Sequence, residues 1–385
     1  MKIAIDVAQT CSPRAGCGWA ADLLARALVQ VAPEHRFFLL HHFGTWLNPD
    51  TRRGTRIHAA NVAEPLARYS VAQARTLWTQ VAGGNAGLPG DPDIVHANCF
   101  QAPLVGPAKL VYTVYDISFW IHPEFTTEEN RLVCQRGTLD ALNRAAGLMF
   151  ISEYSRLEFE RLFPGVCERR GIQTVVTPLA SRFPALERPR TQPPSGPWLA
   201  VGSIEPRKNY DLILDAIEIY WRRSHVRRPL VIAGGAGWKS ADTRMRIRRL
   251  GQAGMVRYEG YASEDRLRKL YADGFALLFA SHYEGFGLPV VEAMSQGCPV
   301  ISTRNTSLPE VGGEAAIWCD LASSGEMAER MLRLENDRNA YLEASVRSLS
   351  QAGRFSWSQT ARMVCDFYTR IAPVTRGPVA GMISR

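Results

Sequence analysis

The sequence predicts an α/β chain of two Rossmann-like, doubly wound halves that face each other across a central cleft. Three observations carry this. Short apolar runs alternate with stretches long enough for helices, which argues for parallel sheets covered on both faces. A proline-rich, aperiodic segment interrupts the series near its middle, and a second series of the same kind follows. The 385 residues also exceed the roughly 250–300 at which one hydrophobic core stops growing, so two cores are expected.

The first series opens with a strand at Lys2–Val7, a Gly/Pro-bearing loop, and a helix whose apolar residues Ala20, Leu23, Leu24, Ala27, Leu28 and Val31 recur at three- and four-residue steps. Further strands are expected at Phe37–Leu40, Ile94–Ala97, Leu110–Val114, Leu148–Ile151 and Thr174–Val176. Residues 1–180 form the first domain on this reading. The stretch from Arg182 to Pro197 holds five prolines and no periodicity, so 181–196 reads as a linker. Residues 197–356 form the second domain, with strands at Trp198–Gly202, Leu230–Ala233, Val256–Gly260, Ala276–Ala280, Val300–Ser302 and Ala316–Trp318. A last helix, Trp357–Ile371, is expected to pack back on the first domain, and 372–385 to be a mobile tail. A helix over Leu66–Val81 carries Trp78 and several aliphatics, suited either to the core or to a lipid carrier.

Composition narrows the class. With 46% hydrophobic and 21% charged residues the chain can bury packed cores, which excludes bulk disorder. Met1–Val7 lacks the layout of a secretory leader, and no apolar run approaches the ~20 residues of a membrane span. The eight cysteines show no CxxC pair or His/Cys cluster, as expected of reduced thiols in the cytoplasm. The formal charge of +8, with only five lysines among the 45 basic residues, favours an anionic partner. The runs at Arg244, Arg246, Arg248, Arg249 and at Arg222, Arg223, Arg227, Arg228 have no interleaved aromatics, so they read as solvated helix faces rather than a nucleic-acid platform.

Four segments carry chemistry. Glu284-Gly-Phe-Gly-Leu-Pro-Val-Val-Glu292 follows a buried strand and opens a helix. Its glycines let backbone approach a ligand, Pro289 suits a first helical turn, and the helix start offers free N–H groups with a positive dipole end. Ionised Glu284 and Glu292 can accept hydrogen bonds only, which fits sugar hydroxyls better than phosphate. Next, Gly202-Ser-Ile-Glu-Pro-Arg207-Lys208 places a planar guanidinium and a point charge at a strand's carboxyl end, a combination suited to a diphosphate. Third, Gly16 and Gly18 precede the first helix, a weak signal by itself. Fourth, Tyr115-Asp116 ends the Leu110–Val114 strand. Two stretches are set aside: Gly234–Ser240 fails the phosphate-loop pattern because Lys239 does not follow a glycine, and Asp91-Pro-Asp93 has metal-ligand spacing but reads as a turn. His96, on an apolar strand, reads as a core histidine, as do His41 and His42.

The segment Ser281–Glu292, continued by Gln296–Ser302 and Ser307–Val311, resembles the Glu-x7-Glu signature of the retaining glycosyltransferases of family 4, and in particular bacterial mannosyl- and rhamnosyl-type transferases of surface polysaccharides. The resemblance implies the GT-B fold, with an N-terminal acceptor domain and a C-terminal nucleotide-sugar domain. It implies that Glu284 holds donor-sugar hydroxyls, that Glu292 holds the ribose, and that the backbone of Phe286, Gly287 and Leu288 meets the sugar and distal phosphate. Arg207 and Lys208 would neutralise the departing diphosphate, with Gly202 at the strand end beside them, and Gly16 and Gly18 would face it from across the cleft. Many relatives carry His-Asp where this chain has Tyr115-Asp116. Tyrosine is neutral near pH 7, so a histidine-dependent step is absent or relocated, and Asp116 becomes the acceptor-side group.

The expected activity is transfer of mannose or a similar hexose, with retention and without a metal or other cofactor. The donor is a GDP- or UDP-sugar, and the acceptor a hydroxyl of a glycan or lipid-linked glycan. A peripheral association with the inner membrane and no nucleic-acid partner complete the expectation. A sugar-nucleotide binder without turnover and a basic nucleic-acid binder are the competing classes.

Overall fold

The computed structural model describes residues 1–11 and 14–372. It contains two parallel sheets. The first is β1 (Lys2–Asp6), β2 (Arg36–Leu40), β3 (Val62–Ala63), β4 (Ile94–Ala97), β5 (Lys109–Val114), β6 (Ala145–Phe150) and β7 (Gln173–Val176), in the order β3-β2-β1-β4-β5-β6-β7. The second is β8 (Trp198–Val201), β9 (Leu230–Ala233), β10 (Val256–Gly260), β11 (Ala276–Phe279), β12 (Val300–Thr303) and β13 (Ile317–Cys319), in the order β10-β9-β8-β11-β12-β13. Each sheet reverses its winding beside its first strand, between β1 and β4 and between β8 and β11. Loops at the carboxyl ends of those strands therefore flank a crevice rather than a covered face.

Burial explains the strand sequences. All four residues of β4, β8, β9, β11 and β12 are buried, because helices cover both faces, and these strands read as near-continuous apolar runs. The helix Gly16–Val31 shares a core with the final helix, Trp357–Ile371, through Leu24, Leu28, Val364 and Phe367. Gly147 on β6 makes that docking possible, since a Cβ there would sit 2.3 Å from the Ile371 side chain. His96 is fully buried and bonded on both ring nitrogens, to Tyr368 Oη at 2.5 Å and to Thr113 Oγ1 at 2.7 Å.

Several expectations change in detail. The helix expected from Leu66 begins at Val71, because Ser70 accepts from the Gln73 N–H while the Gln73 side chain accepts from the Ser70 N–H, a reciprocal cap. Its Ala74, Trp78 and Val81 are buried, so its apolar face is spent on the core. Residues 181–196 form no helix or strand, yet they are strapped down: Arg190 donates to the carbonyls of Tyr271, Ala272 and Gly274 at 2.6, 3.0 and 2.7 Å and to Tyr341 Oη at 2.7 Å. The two basic runs are not uniformly solvated. Arg246 reaches Asp215 and Glu218, and Arg228 lies 3.2 Å from the buried Glu335 and packs on Phe275. Asp91-Pro-Asp93 is a turn: Asp91 adopts φ +50° and the Asp93 carboxylate accepts the Lys2 N–H at 2.8 Å. All eight cysteines are free thiols. The tail expected to be mobile lies outside the described residues from position 373 onward.

Candidate functional site

Two loops at the switch point of the second sheet build a buried cluster of charges. After β8 the chain makes one 3-10 turn, Pro206–Lys208, ended by Asn209 in the left-handed region. After β11 it runs through Ser281–Gly287 into the helix Leu288–Ser295, which starts at Gly287 (φ +109°) with Pro289 in its first turn. The turn presents Arg207 and Lys208 to Glu284. Lys208 Nζ donates to one carboxylate oxygen at 2.5 Å, and Arg207 Nη1 donates to the other at 3.0 Å. Arg207 also donates to the Tyr283 carbonyl at 2.9 Å and to Glu205 through Nε and Nη2 at 3.1 and 2.7 Å. Gly202 (φ +144°) makes room for the lysine stem, as a Cβ there would lie 3.3 Å from Lys208 Cε.

Burial sharpens the electrostatics. Glu284 is 7% exposed. Burial alone would raise its pKa, but Lys208 and Arg207 outweigh that and bring it down to about 2. Burial likewise works against the Arg207 charge, and Glu284 and Glu205 overcome it and hold the guanidinium protonated. Glu284 is therefore a fixed anion at neutral pH. It can accept hydroxyl hydrogen bonds and cannot deliver a proton.

The second acid of the motif sits apart. Glu292, on the helix Leu288–Ser295, is 0% exposed, and both of its oxygens are engaged: Arg182 donates through Nε at 2.6 Å and Nη2 at 3.0 Å, and Tyr271 Oη donates at 3.1 Å. Arg182 and Tyr271 were not flagged by sequence reasoning, since an arginine in a proline-rich segment and a tyrosine on a helix carry no local signal.

The first half is seated directly against this cluster. A Cβ on Gly285 would lie 2.1 Å from the Tyr115 carbonyl and 3.0 Å from Asp116 Cβ, so the glycine is a steric requirement of the contact. Ser155 Oγ bridges the Tyr115 and Gly285 carbonyls at 3.3 and 3.2 Å. Asp116 accepts the N–H and hydroxyl of Ser118 at 2.9 and 2.7 Å, at the start of the short helix Ser118–Ile121, and its charge is near enough to Arg207 to favour the protonated guanidinium. A Cβ on Gly16 would lie 3.7 Å from the Leu288 side chain, whereas one on Gly18 would lie 2.9 Å from the Gln9 carbonyl. Phe286 is buried, and Ser307 Oγ donates to the Glu284 and Phe286 carbonyls at 2.9 and 3.0 Å, fixing the loop.

Sequence reasoning also missed the clasps around the rim. Glu310 accepts the backbone N–H groups of Glu153 and Tyr154 at 2.8 and 2.5 Å, at the start of the helix Glu153–Leu162. Trp238 Nε1 and Lys239 Nζ donate to the carbonyls of Phe125 and Glu124 at 2.5 and 2.8 Å, and His282 stacks on Phe125 at 5.8 Å. These pairs join segments more than 100 residues apart, so no local pattern announces them.

Two doubly wound sheets meeting over such a cluster define a protein of the GT-B architecture, and solved structures agree on that fold. Sucrose-phosphate synthase from Thermosynechococcus elongatus superposes with a TM-score of 0.69 at 17% identity, covering 96% of this chain and 99% of that one. Anabaena HepE, solved with UDP and glucose, gives 0.67 at 18%, covering 96% and 100%. The model of the glycosyl transferases group 1 matches residues 193–354. O-antigen chain mannosyltransferase B of Escherichia coli is 32% identical over 270 residues, 68% of this chain and 70% of that protein. The chain accordingly belongs to the group 1 glycosyltransferases. The serotype-specific mannosyltransferase WbdA of Escherichia coli is 27% identical across 99% of this chain, which spans 49% of WbdA.

Proposed function

We propose that this glycosyltransferase moves mannose or a similar hexose from a GDP- or UDP-sugar to a hydroxyl of a glycan or lipid-linked glycan, with retention at the anomeric carbon and without a metal. The single observation that carries the reading is the buried triad of Arg207, Lys208 and Glu284. When the bond from the anomeric carbon to the phosphate oxygen breaks, negative charge grows on the diphosphate. Arg207 and Lys208 are held in position beforehand by Glu284 and Glu205, so little reorganisation accompanies that step. The start of the helix at Leu288 adds a positive dipole end. Glu284, kept ionised, accepts hydroxyls of the donor sugar, and Glu292 those of the ribose.

The mannosyl preference draws on the relatives, whose names describe mannosyltransferases of O-antigen chains, and the UDP option on HepE. Asp116, at the seam between the halves, is the acceptor-side group in this scheme. Among the described residues no helix is long and apolar enough to cross a membrane, and we place the enzyme in the cytoplasm with a peripheral contact to the inner membrane where a lipid-linked acceptor resides. No nucleic-acid partner is invoked.

The test is a thermal-shift panel of GDP-, UDP- and ADP-sugars, followed by transfer assays on mannose-terminated acceptors. A ligand that binds the folded state raises the melting temperature, by an amount that grows with its concentration relative to Kd. Stabilisation by one sugar nucleotide, with transfer lost in Lys208→Met, is the expected result. Indifference to every nucleotide would reject the reading.

A further inference from the structure

We propose that Arg182 is a positioning residue for the donor's ribose: it sets the buried Glu292 carboxylate, and through Trp19 it ties that setting to the seating of the first half. This rests on the nucleotide-sugar reading above and names the residue that makes its ribose contact specific.

Arg182 lies in the segment that joins the two halves. Its guanidinium grips Glu292 as a fork, through Nε at 2.6 Å and Nη2 at 3.0 Å, and Tyr271 Oη donates to the second of those oxygens at 3.1 Å. A carboxylate has about four acceptor directions, so three donors leave one open. A fully buried anion without such partners would instead take up a proton or force the loop apart. Burial opposes the Arg182 charge, but Glu292 overrides it and keeps the guanidinium protonated. The fork thus does two things at once. It pairs the buried Glu292 carboxylate with a cation, and it fixes the plane of the carboxylate, so that the remaining acceptor direction is set for a hydroxyl.

The same guanidinium packs on Trp19, 4.7 Å from the ring centroid, and on Phe183 at 5.4 Å. Trp19 belongs to the first-half helix that opens at the glycine pair Gly16 and Gly18. A second arginine, Arg14, packs on the same indole at 4.8 Å and is anchored 3.1 Å from the buried Asp22. A continuous path therefore runs from the glycine loop through Trp19 and Arg182 to Glu292. If the first half moves away, Arg182 loses one wall of its pocket and the fork loosens. Ribose recognition is then strongest when the cleft is closed.

The experiment is isothermal titration of the full chain with GDP and UDP and with their 2′,3′-dideoxy counterparts, combined with donor KM and kcat. The wild type should bind its ribonucleotide at least about tenfold more tightly than the dideoxy form, the size expected of hydrogen bonds to a charged group. In Arg182→Met that preference should collapse to near unity, with donor KM rising much more than kcat falls. Arg182→Lys should restore part of it, as one donor replaces a fork. Trp19→Leu keeps the ion pair and should cut the preference severalfold, which keeps the idea testable should Arg182→Met not fold. An unchanged ribose preference in folded Arg182→Met, or in Trp19→Leu where that variant must decide, would overturn the inference. A wild type that binds neither nucleotide removes the nucleotide reading itself. A wild type that binds one of them without ribose preference leaves that reading standing and removes only the role of Arg182.

Discussion

The two halves share a winding pattern, but the polar clusters at their centres treat charge differently. In the second half the central buried carboxylates are paired with cations: Glu284 with Lys208 and Arg207, and Glu292 with Arg182. In the first half an interior hydrogen-bonded chain runs through Tyr368, His96, Thr113, Asn98 and Asp6, and among the described residues no cationic side chain partners Asp6 in it. Burial pushes His96 down to about 3 and Asp6 up to about 6, so both lean toward their uncharged forms. One half stores charge where an anionic leaving group would arrive. The chain through His96 and Asp6 disfavours it where a sheet and a returning C-terminal helix are held together, although the first half keeps a buried ion pair at Asp22 with Arg14. Substitutions in the second cluster should therefore register in turnover, and those in the first in stability.

The largest expected effect follows from removing a cation. Lys208→Met should lower transfer by roughly a hundredfold or more, the scale of one lost electrostatic contact to a developing oxyanion. Its fold should persist, because Arg207 remains to compensate Glu284. Circular dichroism together with single-turnover transfer checks both. A turnover within a few fold of the wild type would erase the contrast between the halves.

Gly285→Ala comes next, since it tests whether the halves must meet. The added methyl would sit 2.1 Å from the Tyr115 carbonyl, backbone that cannot simply rotate away. In this scheme the donor contacts lie mainly in the second half, with Trp19 and Arg182 as their link to the first, so Kd should rise by a few fold at most, whereas kcat should fall by about tenfold or more because closure positions the reacting groups. Equal losses in Kd and kcat would mean that the seam belongs to donor binding instead.

The same contrast explains what the sequence made legible. The strands were readable because near-continuous apolar runs are what a doubly covered parallel sheet requires, and the triad was readable because Glu284, Arg207 and Lys208 lie in two short stretches whose glycines and prolines fix a strand-to-helix turn. The partners of Glu292 were not. Arg182 and Tyr271 are 110 and 21 residues away from it in sequence, and only the packing of the linking segment brings them together. The seam was equally silent, since Gly285 reads as a loop glycine until the Tyr115 carbonyl is placed beside it. Leu66 misled because an apolar pattern carries no mark of its start, whereas Ser70 and Gln73 supply one.

Acid sensitivity offers a smaller and more specific measure of the first half. The folded pKa of His96 is depressed below its usual 6.5, so its contribution to stability is present above that value and is lost as the pH falls toward 3. Between pH 7 and 5 the unfolded chain gains a proton at this site that the folded chain refuses, which costs about 2 kcal/mol. Asp6 acts in the opposite direction: its folded pKa is raised, so protonation below about 6 favours the folded state. The clean comparison is thus between wild type and His96→Gln, in which the Asp6 effect cancels. Denaturant unfolding at pH 7 and 5 should show the wild type losing about 2 kcal/mol more than the variant. Parallel losses would show that His96 titrates as an ordinary histidine.

The smallest effect concerns Tyr115, which stands where many relatives carry histidine. Burial raises its pKa well above the ordinary value, so the hydroxyl stays protonated and cannot serve as a base. That hydroxyl donates to the Cys17 carbonyl at 3.3 Å, and the ring lies 5.5 Å from Phe100. Its work is to support the glycine loop rather than to exchange protons. Tyr115→Phe should then cost at most about 1 kcal/mol, the worth of one neutral hydrogen bond, and leave kcat within about threefold of the wild type. A loss approaching that of Lys208→Met would place proton chemistry in the first half and undo the division of labour drawn between the two.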